Sequence, residues 1–281
     1  MKHRAYIELI RVPNSVLSGV GAIFSILVFS DYQLRPLEIV VGFLTGFLLT
    51  SSSMIINDVV DLEVDKMNKP WKPIPRGDVN PGEAKITSLI LALIGNTLNT
   101  LLGPRALIVA LTYTIIGIGY SYTRRHAWSH FLVALSTTGP IVYGYIVAGV
   151  NPHDLSFTTL FAATMFTVNL AREFLKAIQD VQGDKTRGYK TIATTIGPEK
   201  ASIAMLTVGI TAVTLALATI TLTMSNLYKA LIAIAALVYI HSIVKAYRHR
   251  ADIERLEKYR RRTLGAMFIG IIALLLFKTP L

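Results

Sequence analysis

The sequence predicts an all-α membrane protein: one bundle of nine transmembrane helices that takes up residues 1–281 as a single domain. Three observations predict it. Nine apolar runs each approach the about 20 residues that a helix needs to cross a bilayer core. Apolar residues make up 52% of the chain and charged residues 16%, which leaves too few polar side chains to cover a soluble globule and too much hydrophobicity for a disordered chain. The 28 Lys and Arg fall unevenly, 24 of them in connections on one side of the runs.

Taken in order, each run is bounded by its charges. Lys2, Arg4 and Arg11 lead into the first, 10–30. Arg35 precedes the second, 36–57, which ends in a connection carrying Lys66, Lys69, Lys72, Arg76 and Lys85. The third, 83–102, and the fourth, 105–122, are joined at Arg105, and the fourth is closed by Arg124 and Arg125. The fifth, 128–149, contains Pro140 and Gly144, as the first contains Pro13, and membrane helices tolerate both residue types. The sixth, 157–179, ends among Arg172, Lys176, Lys185, Arg187, Lys190 and Lys200. The seventh is 200–223; Lys229 lies at the start of the eighth, 227–246, and eight cations from Lys245 to Arg262 lead from the eighth to the ninth, 263–279.

The runs are continuous rather than alternating, which excludes a transmembrane β-barrel. The cation asymmetry puts the N-terminus in the cytoplasm and the C-terminus outside, because Lys and Arg gather on the cytoplasmic side. A pI near 9.8 then reflects topology and contact with anionic membrane lipids, and nucleic acid is not an expected partner. No small-residue cleavage site follows the first run, so it is expected to remain as a helix. With no cysteine, disulfides, thiol catalysis, cysteine-bound zinc and iron–sulfur clusters are ruled out.

The two longest polar connections, after the second and sixth runs, carry the chemistry. The first opens as Asn57-Asp58-Val59-Val60-Asp61-Leu62-Glu63-Val64-Asp65. If the helix continues, Asp58, Asp61 and Asp65 fall within about 60° of one face, with Asn57 beside them. Three carboxylates so close repel one another, and the negative end of the helix dipole adds to the repulsion. Near a membrane they call for a cation, and hard oxygen ligands suit Mg²⁺, which bridges carboxylates to substrate phosphates. Pro70, Pro73 and Pro75 preclude a regular helix just downstream and stiffen a loop that holds Lys66, Lys69, Lys72 and Arg76.

At the end of the sixth run, Arg172, Lys176, Asp180 and Asp184 are each four apart and form one helical ridge, followed by Lys185, Arg187 and Lys190. Asp61-x-x-x-Asp65 and Asp180-x-x-x-Asp184 read as two copies of one device on the same side of the membrane. Two such clusters flanked by cations suit diphosphate leaving an allylic carbon, with metal and Lys or Arg neutralising the leaving group. The allylic cation needs a dry cavity, and Tyr113, Tyr120, Tyr122, Tyr143 and Tyr145 are candidates to stabilise it through their ring faces.

Asn57-Asp-x-x-Asp61-x-x-x-Asp65 resembles the first signature of the UbiA membrane prenyltransferases, and Asp180-x-x-x-Asp184 the second. Further stretches resemble the archaeal members of that family that build ether lipids: Glu8-Leu-Ile-Arg11-x-Pro13-Asn14, Asp65-x-x-Asn68-Lys-Pro70-x-Lys-Pro73-Ile-Pro75 and Arg172-Glu173-x-x-Lys176-x-Ile-x-Asp180-x-x-Gly183-Asp184. The resemblance implies Mg²⁺-dependent transfer of a geranylgeranyl group from geranylgeranyl diphosphate to the hydroxyl of geranylgeranylglyceryl phosphate. On this reading Asn57, Asp58, Asp61, Asp65, Asp180 and Asp184 hold metal, and Lys72, Arg76, Lys185 and Lys190 contact donor phosphates. Arg11, Asn14, Arg124, Arg125, Arg172 and Lys176 serve the phosphorylated glyceryl acceptor, and Asp61, Glu173 or diphosphate takes the hydroxyl proton.

The chain departs from the family pattern in places. Lys72 stands where Arg is usual and Arg76 where a small residue is usual. Ala177 and Gln182 replace commonly acidic positions, and His130 replaces a frequent Asn; the number of metal ions stays open. Rival readings are a sibling enzyme with an aromatic or porphyrin acceptor, and a transporter. The transporter would carry its charges near the bilayer midplane rather than at one face.

Overall fold

The computed structural model describes residues 2–123 and 125–279. Among them every regular element is helical, and the one β-bridge is an isolated contact between His126 and Lys190. By compactness the chain divides into two units: Met1–Tyr122 with Val142–Gly149, and Thr123–Ile141 with Val150–Leu281.

The first unit contains α1 (Lys2–Leu9), α2 (Val12–Phe29), α3 (Pro36–Val60), α4 (Leu62–Asn68), α5 (Pro81–Thr97) and α6 (Pro104–Thr123, its last residue aside). Proline opens α3, α5 and α6, where its missing N–H is one no helix would use. The Asn80 side chain caps α5 by accepting from the Gly82 N–H at 2.7 Å. Small residues let α2 and α3 touch: a Cβ on Gly46 would stand 2.8 Å from the Cα of Gly19, too close for any side chain. Buried polar bonds tie helices where lipid offers no water. The Ser52 hydroxyl donates to the Ser88 carbonyl at 2.8 Å, and Tyr143 donates to Asn99 Oδ1 at 2.7 Å.

The second unit contains α7 (Ser129–Ser136), α9 (Leu155–Gln179), α10 (Val181–Thr186), α11 (Ile192–Ile196), α12 (Pro198–Thr219), α13 (Asn226–Arg248) and α14 (Ile253–Leu274). The short α8 (Gly139–Ala148) follows α7 after a two-residue break and lies mostly in the first unit. Leu170, Phe174, Leu175, Met205, Ile243 and Leu256 form the core that joins α9 to α12, α13 and α14. Beside it lies an apolar cavity lined by residues of the same four helices, among them Phe161, Met165, Ala212, Ala236, Tyr239 and Gly270.

Among the described residues six helices are long and apolar enough to cross a membrane: α2, α3, α5 with its 3-10 extension to Leu101, α6, α12 with its extension to Leu222, and α13. The interrupted α7–α8 pair makes a seventh if it counts as one span. The expected sixth and ninth spans correspond to α9 and α14, which are long enough, but their ends carry Arg172, Glu173 and Lys176, and Glu257 to Arg262. The ninth run also starts earlier than hydropathy suggests: α14 begins at Ile253, where Asp252 accepts from the Arg255 N–H at 3.0 Å, and it stops at Leu274. Seven of its first ten residues are charged, so apolar content could not reveal them as helix.

Candidate active site

The first acidic set is built by a helix that nearly continues. α3 ends at Val60 and α4 starts at Leu62, yet the Asp61 N–H donates to the Asn57 carbonyl at 2.9 Å and the Asp65 N–H to the Asp61 carbonyl at 2.8 Å. The helical ladder therefore passes through the join, and the three carboxylates keep the shared face that their spacing predicts. All three are buried: Asp58, Asp61 and Asp65 are 3%, 4% and 3% exposed. Asn57 is half-buried beside them.

Lys72 and Arg11 meet Asp58 and Asp65. Lys72 Nζ lies 2.8 Å from Asp58 Oδ1 and 2.5 Å from Asp65 Oδ2, and Arg11 Nη2 lies 2.7 Å from Asp58 Oδ1. The proline-rich loop delivers Lys72 as a set of tight turns, with the Lys72 N–H donating to the Lys69 carbonyl at 3.0 Å and the Arg76 N–H to the Lys72 carbonyl at 2.9 Å. Ile74 and Val79 anchor that loop by inserting between Leu9, Ile55 and Ala84. Arg11 sits at the break between α1 and α2 with a left-handed backbone, φ 48°, which aims its guanidinium at α3. The sequence assigns it to the acceptor side; in the structure its guanidinium is paired with Asp58.

Arg76 also departs from expectation. Its guanidinium donates to Asp78 Oδ2 at 2.7 Å and to the Trp71 carbonyl at 2.8 Å, and reaches Glu8 at 3.4 Å. The bond to Asp78 raises its pKa further, and Glu8 adds to the effect. These contacts tie the loop to itself and to α1. Asn14 is exposed on the first turn of α2, and Tyr120 is half-buried near the end of α6. Arg124 lies outside the described residues.

In the second unit the ladder again crosses a join, with the Asp180 N–H on the Lys176 carbonyl and the Asp184 N–H on the Asp180 carbonyl, both at 2.9 Å. The ridge of Arg172, Lys176, Asp180 and Asp184 is therefore present. Its members are not equivalent, since Asp184 is buried while Asp180 is exposed. Arg172 Nε is buried and meets no hydrogen-bond partner among the described residues. Gly188, at φ 67°, turns the chain, and the Lys190 N–H then donates to the Arg125 carbonyl at 2.9 Å. The side chains of Arg125, Lys185 and Lys190 are exposed.

Two groupings here went unread in the sequence. His130 Nδ1 faces Glu173 Oε2 at 3.8 Å, both side chains being about nine-tenths buried. Glu257 binds Arg260 and Arg261 and reaches Gln179 at 3.4 Å, linking α14 to the end of α9. Only the i, i+3 and i, i+4 spacing of the second grouping was available as a signal.

The donor chemistry of the first set suits a hard divalent cation, since its buried side chains are carboxylates, hard oxygen ligands that share one helix face. As arranged, Lys72 and Arg11 hold oxygens of Asp58 and Asp65, and among the described residues no three His, Cys, Asp or Glu side chains are gathered to grip a metal ion.

The UbiA prenyltransferase family model matches residues 18–272. The chain belongs to the UbiA prenyltransferase family. It is 36% identical over 205 residues to digeranylgeranylglyceryl phosphate synthase of Saccharolobus solfataricus, covering 71% of each chain. It is 29% identical to the synthase of the same name from Metallosphaera sedula, over 98% of this chain and 96% of that one. A solved structure of a digeranylgeranylglyceryl phosphate synthase superposes with a TM-score of 0.82 at 25% identity, covering 98% of both chains. A UbiA homologue from Archaeoglobus fulgidus bound to GPP and Mg²⁺ shares the fold at a TM-score of 0.70 and 18% identity, over 96% of this chain and 99% of that one. This UbiA member is thus a membrane-embedded prenyltransferase.

Proposed function

We infer that the protein transfers a geranylgeranyl group from geranylgeranyl diphosphate to the free hydroxyl of geranylgeranylglyceryl phosphate, releasing diphosphate. The observation that carries this reading is the buried Asp58–Asp61–Asp65 face with Lys72 and Arg11 at 2.5–2.8 Å. Such a set suits a site where a strongly anionic group and its counter-cations are held out of water. The names of the relatives, and the GPP and Mg²⁺ held by the Archaeoglobus homologue, support a diphosphate donor and Mg²⁺. Mg²⁺, when bound, supplies positive charge to the departing diphosphate.

In this reading Asn57, Asp58, Asp61, Asp65, Asp180 and Asp184 hold the metal, and Lys72, Lys185 and Lys190 hold donor phosphate. Arg172, with its unpartnered buried Nε, and Lys176 suit the phosphate of the acceptor, which an aromatic acceptor would not require. The apolar cavity among α9, α12, α13 and α14 suits isoprenoid chain. α9 and α14 complete nine spans, their charged ends at the cytoplasmic face with the N-terminus, and the family model's run from 18 to 272 supports one functional domain.

The test is a product assay on the purified protein in detergent with Mg²⁺. Labelled geranylgeranyl diphosphate is offered with geranylgeranylglyceryl phosphate or with 4-hydroxybenzoate, and Asp61→Ala is run alongside. A doubly alkylated glyceryl phosphate, absent with the variant, is expected. Transfer to the aromatic acid alone would move the function to quinone-type chemistry.

A further inference from the structure

We propose that Lys72 is a stand-in cation. It holds the metal-binding face of the first acidic set closed until a diphosphate arrives to take its ammonium, so that divalent metal and diphosphate bind only together. The inference rests on the donor-site reading above.

The geometry carries it. One ammonium bridges two carboxylates that belong to different turns of the helix, Asp58 at 2.8 Å and Asp65 at 2.5 Å. The Lys72 side chain is only 14% exposed, so this is not a solvated surface pair. A buried carboxylate left without a partner is costly, and three in two turns are more so. Lys72 and Arg11 pair Asp58 and Asp65, which holds these two buried carboxylates stable as they stand.

A divalent ion arriving alone must take oxygens from Lys72. The displaced ammonium then sits beside a dication in a site that water barely enters. Like charges a few ångströms apart in such surroundings repel strongly. A diphosphate removes the conflict, because it offers the ammonium new oxygens while sharing the metal with the carboxylates. The residue type matters. An ammonium is a compact, mobile point charge on a flexible stem, able to exchange one oxyanion for another, whereas a guanidinium fork fixes its partners in a plane. Lys72 also hangs from a loop anchored at Ile74 and Val79, so the side chain can swing while its backbone stays in place. Arg11, fixed on Asp58 from the α1–α2 break, keeps one carboxylate paired throughout the exchange.

Thermodynamically this is positive coupling between two ligands, and the coupling must be reciprocal. The probes are Mn²⁺, followed by electron paramagnetic resonance, and inorganic pyrophosphate, with full-length protein in detergent. Wild type is expected to bind Mn²⁺ alone weakly, and at least about tenfold more tightly with pyrophosphate present, a typical coupling factor. Pyrophosphate affinity should rise by the same factor with Mn²⁺. In Lys72→Met the stand-in charge is gone, so Mn²⁺ alone should bind about tenfold or more tighter than to wild type, with most of the coupling lost. Lys72→Gln serves if the methionine variant does not fold, and the wild-type titration decides the point without any variant. Equal Mn²⁺ affinity of wild type with and without pyrophosphate would overturn the inference, as would a folded Lys72→Met with unchanged Mn²⁺ affinity. Absence of Mn²⁺ binding under every condition would overturn the donor-site reading and the inference with it, whereas the first two results leave that reading standing.

Discussion

His130 and Glu173 form a buried pair on neighbouring helices, imidazole Nδ1 to carboxylate oxygen at 3.8 Å, with the His130 ring edge-on to Phe174. The Ile192 N–H donates to His130 Nε2 at 3.4 Å, which leaves the ring proton of a neutral imidazole on Nδ1, facing the carboxylate. Residues on α7, α9 and α11 thus meet at one imidazole. His130→Ala would leave Glu173 without this partner and is expected to lower stability in detergent by about 1–3 kcal/mol. His130→Asn, which restores an N–H donor and matches the residue common in the family, should cost less. Thermal unfolding of the two variants checks this, and equal losses would refute the pairing argument.

The two carboxylates of the second set should respond differently, because one is exposed and the other buried. Asp180→Asn is expected to change stability by no more than about 0.5 kcal/mol, the range of ordinary surface substitutions. Asp184→Ala removes a buried polar group and should cost about 1–3 kcal/mol. If both act on diphosphate charge, each lowers prenyl transfer by about 10²-fold or more, the scale seen for one lost electrostatic contact. Activity and unfolding measured on the same preparations separate the two effects. An Asp180→Asn protein that unfolds early would show that its exposure had been misread.

Much of this site was legible in the sequence where the interactions are local. The spacing of Asp58, Asp61 and Asp65 put them on one face, and the unbroken backbone ladder across Asp61 delivers that face. The ridge of Arg172 to Asp184 follows from the same period. What stayed hidden depends on contacts between distant segments. Lys72 was read only as a phosphate ligand, because nothing local says that Ile74 and Val79 will seat its loop under α3. The pairing of Arg11 with Asp58 was not foreseen because its aim depends on a left-handed residue at a helix break, and Arg is not a residue type that signals one. His130 and Glu173 lie on separate runs, and no periodicity pairs them. The start of α14 was missed because hydropathy detects apolar helix and is blind to a leading stretch in which seven of ten residues are charged.

Arg76 separates charge that acts on substrate from charge that shapes a loop. Its donors go to Asp78, Trp71 and Glu8, not to the buried acidic face. Arg76→Gln is therefore expected to change the KM for geranylgeranyl diphosphate by less than about threefold, in keeping with the small worth of exposed ion pairs. Lys72→Met, by contrast, should reduce kcat/KM by about 10² or more if its ammonium meets phosphate charge in the transition state. Steady-state kinetics of the two variants side by side is the check, and comparable losses would place Arg76 back among the donor ligands.

The pH dependence of stability offers an independent check on the α14 contacts. Donation from Arg261 and Arg260 holds the Glu257 carboxyl at about 2, below its ordinary 4.5. A carboxylate whose folded value is depressed binds fewer protons in the folded state than in the unfolded one between those two values. Its stabilisation is therefore complete above about 4.5 and is lost as pH falls toward about 2. Because the side chain is about a third exposed, solvent screening limits the gain to under about 1 kcal/mol. Glu257→Gln should accordingly unfold slightly earlier than wild type at pH 7, with the gap narrowing below pH 4.5 and closing near pH 2. High salt at pH 7 should shrink the same gap, since exposed ion pairs are screened. A gap that is constant across pH would mean that Glu257 acts through packing against Gln179 rather than through its charge.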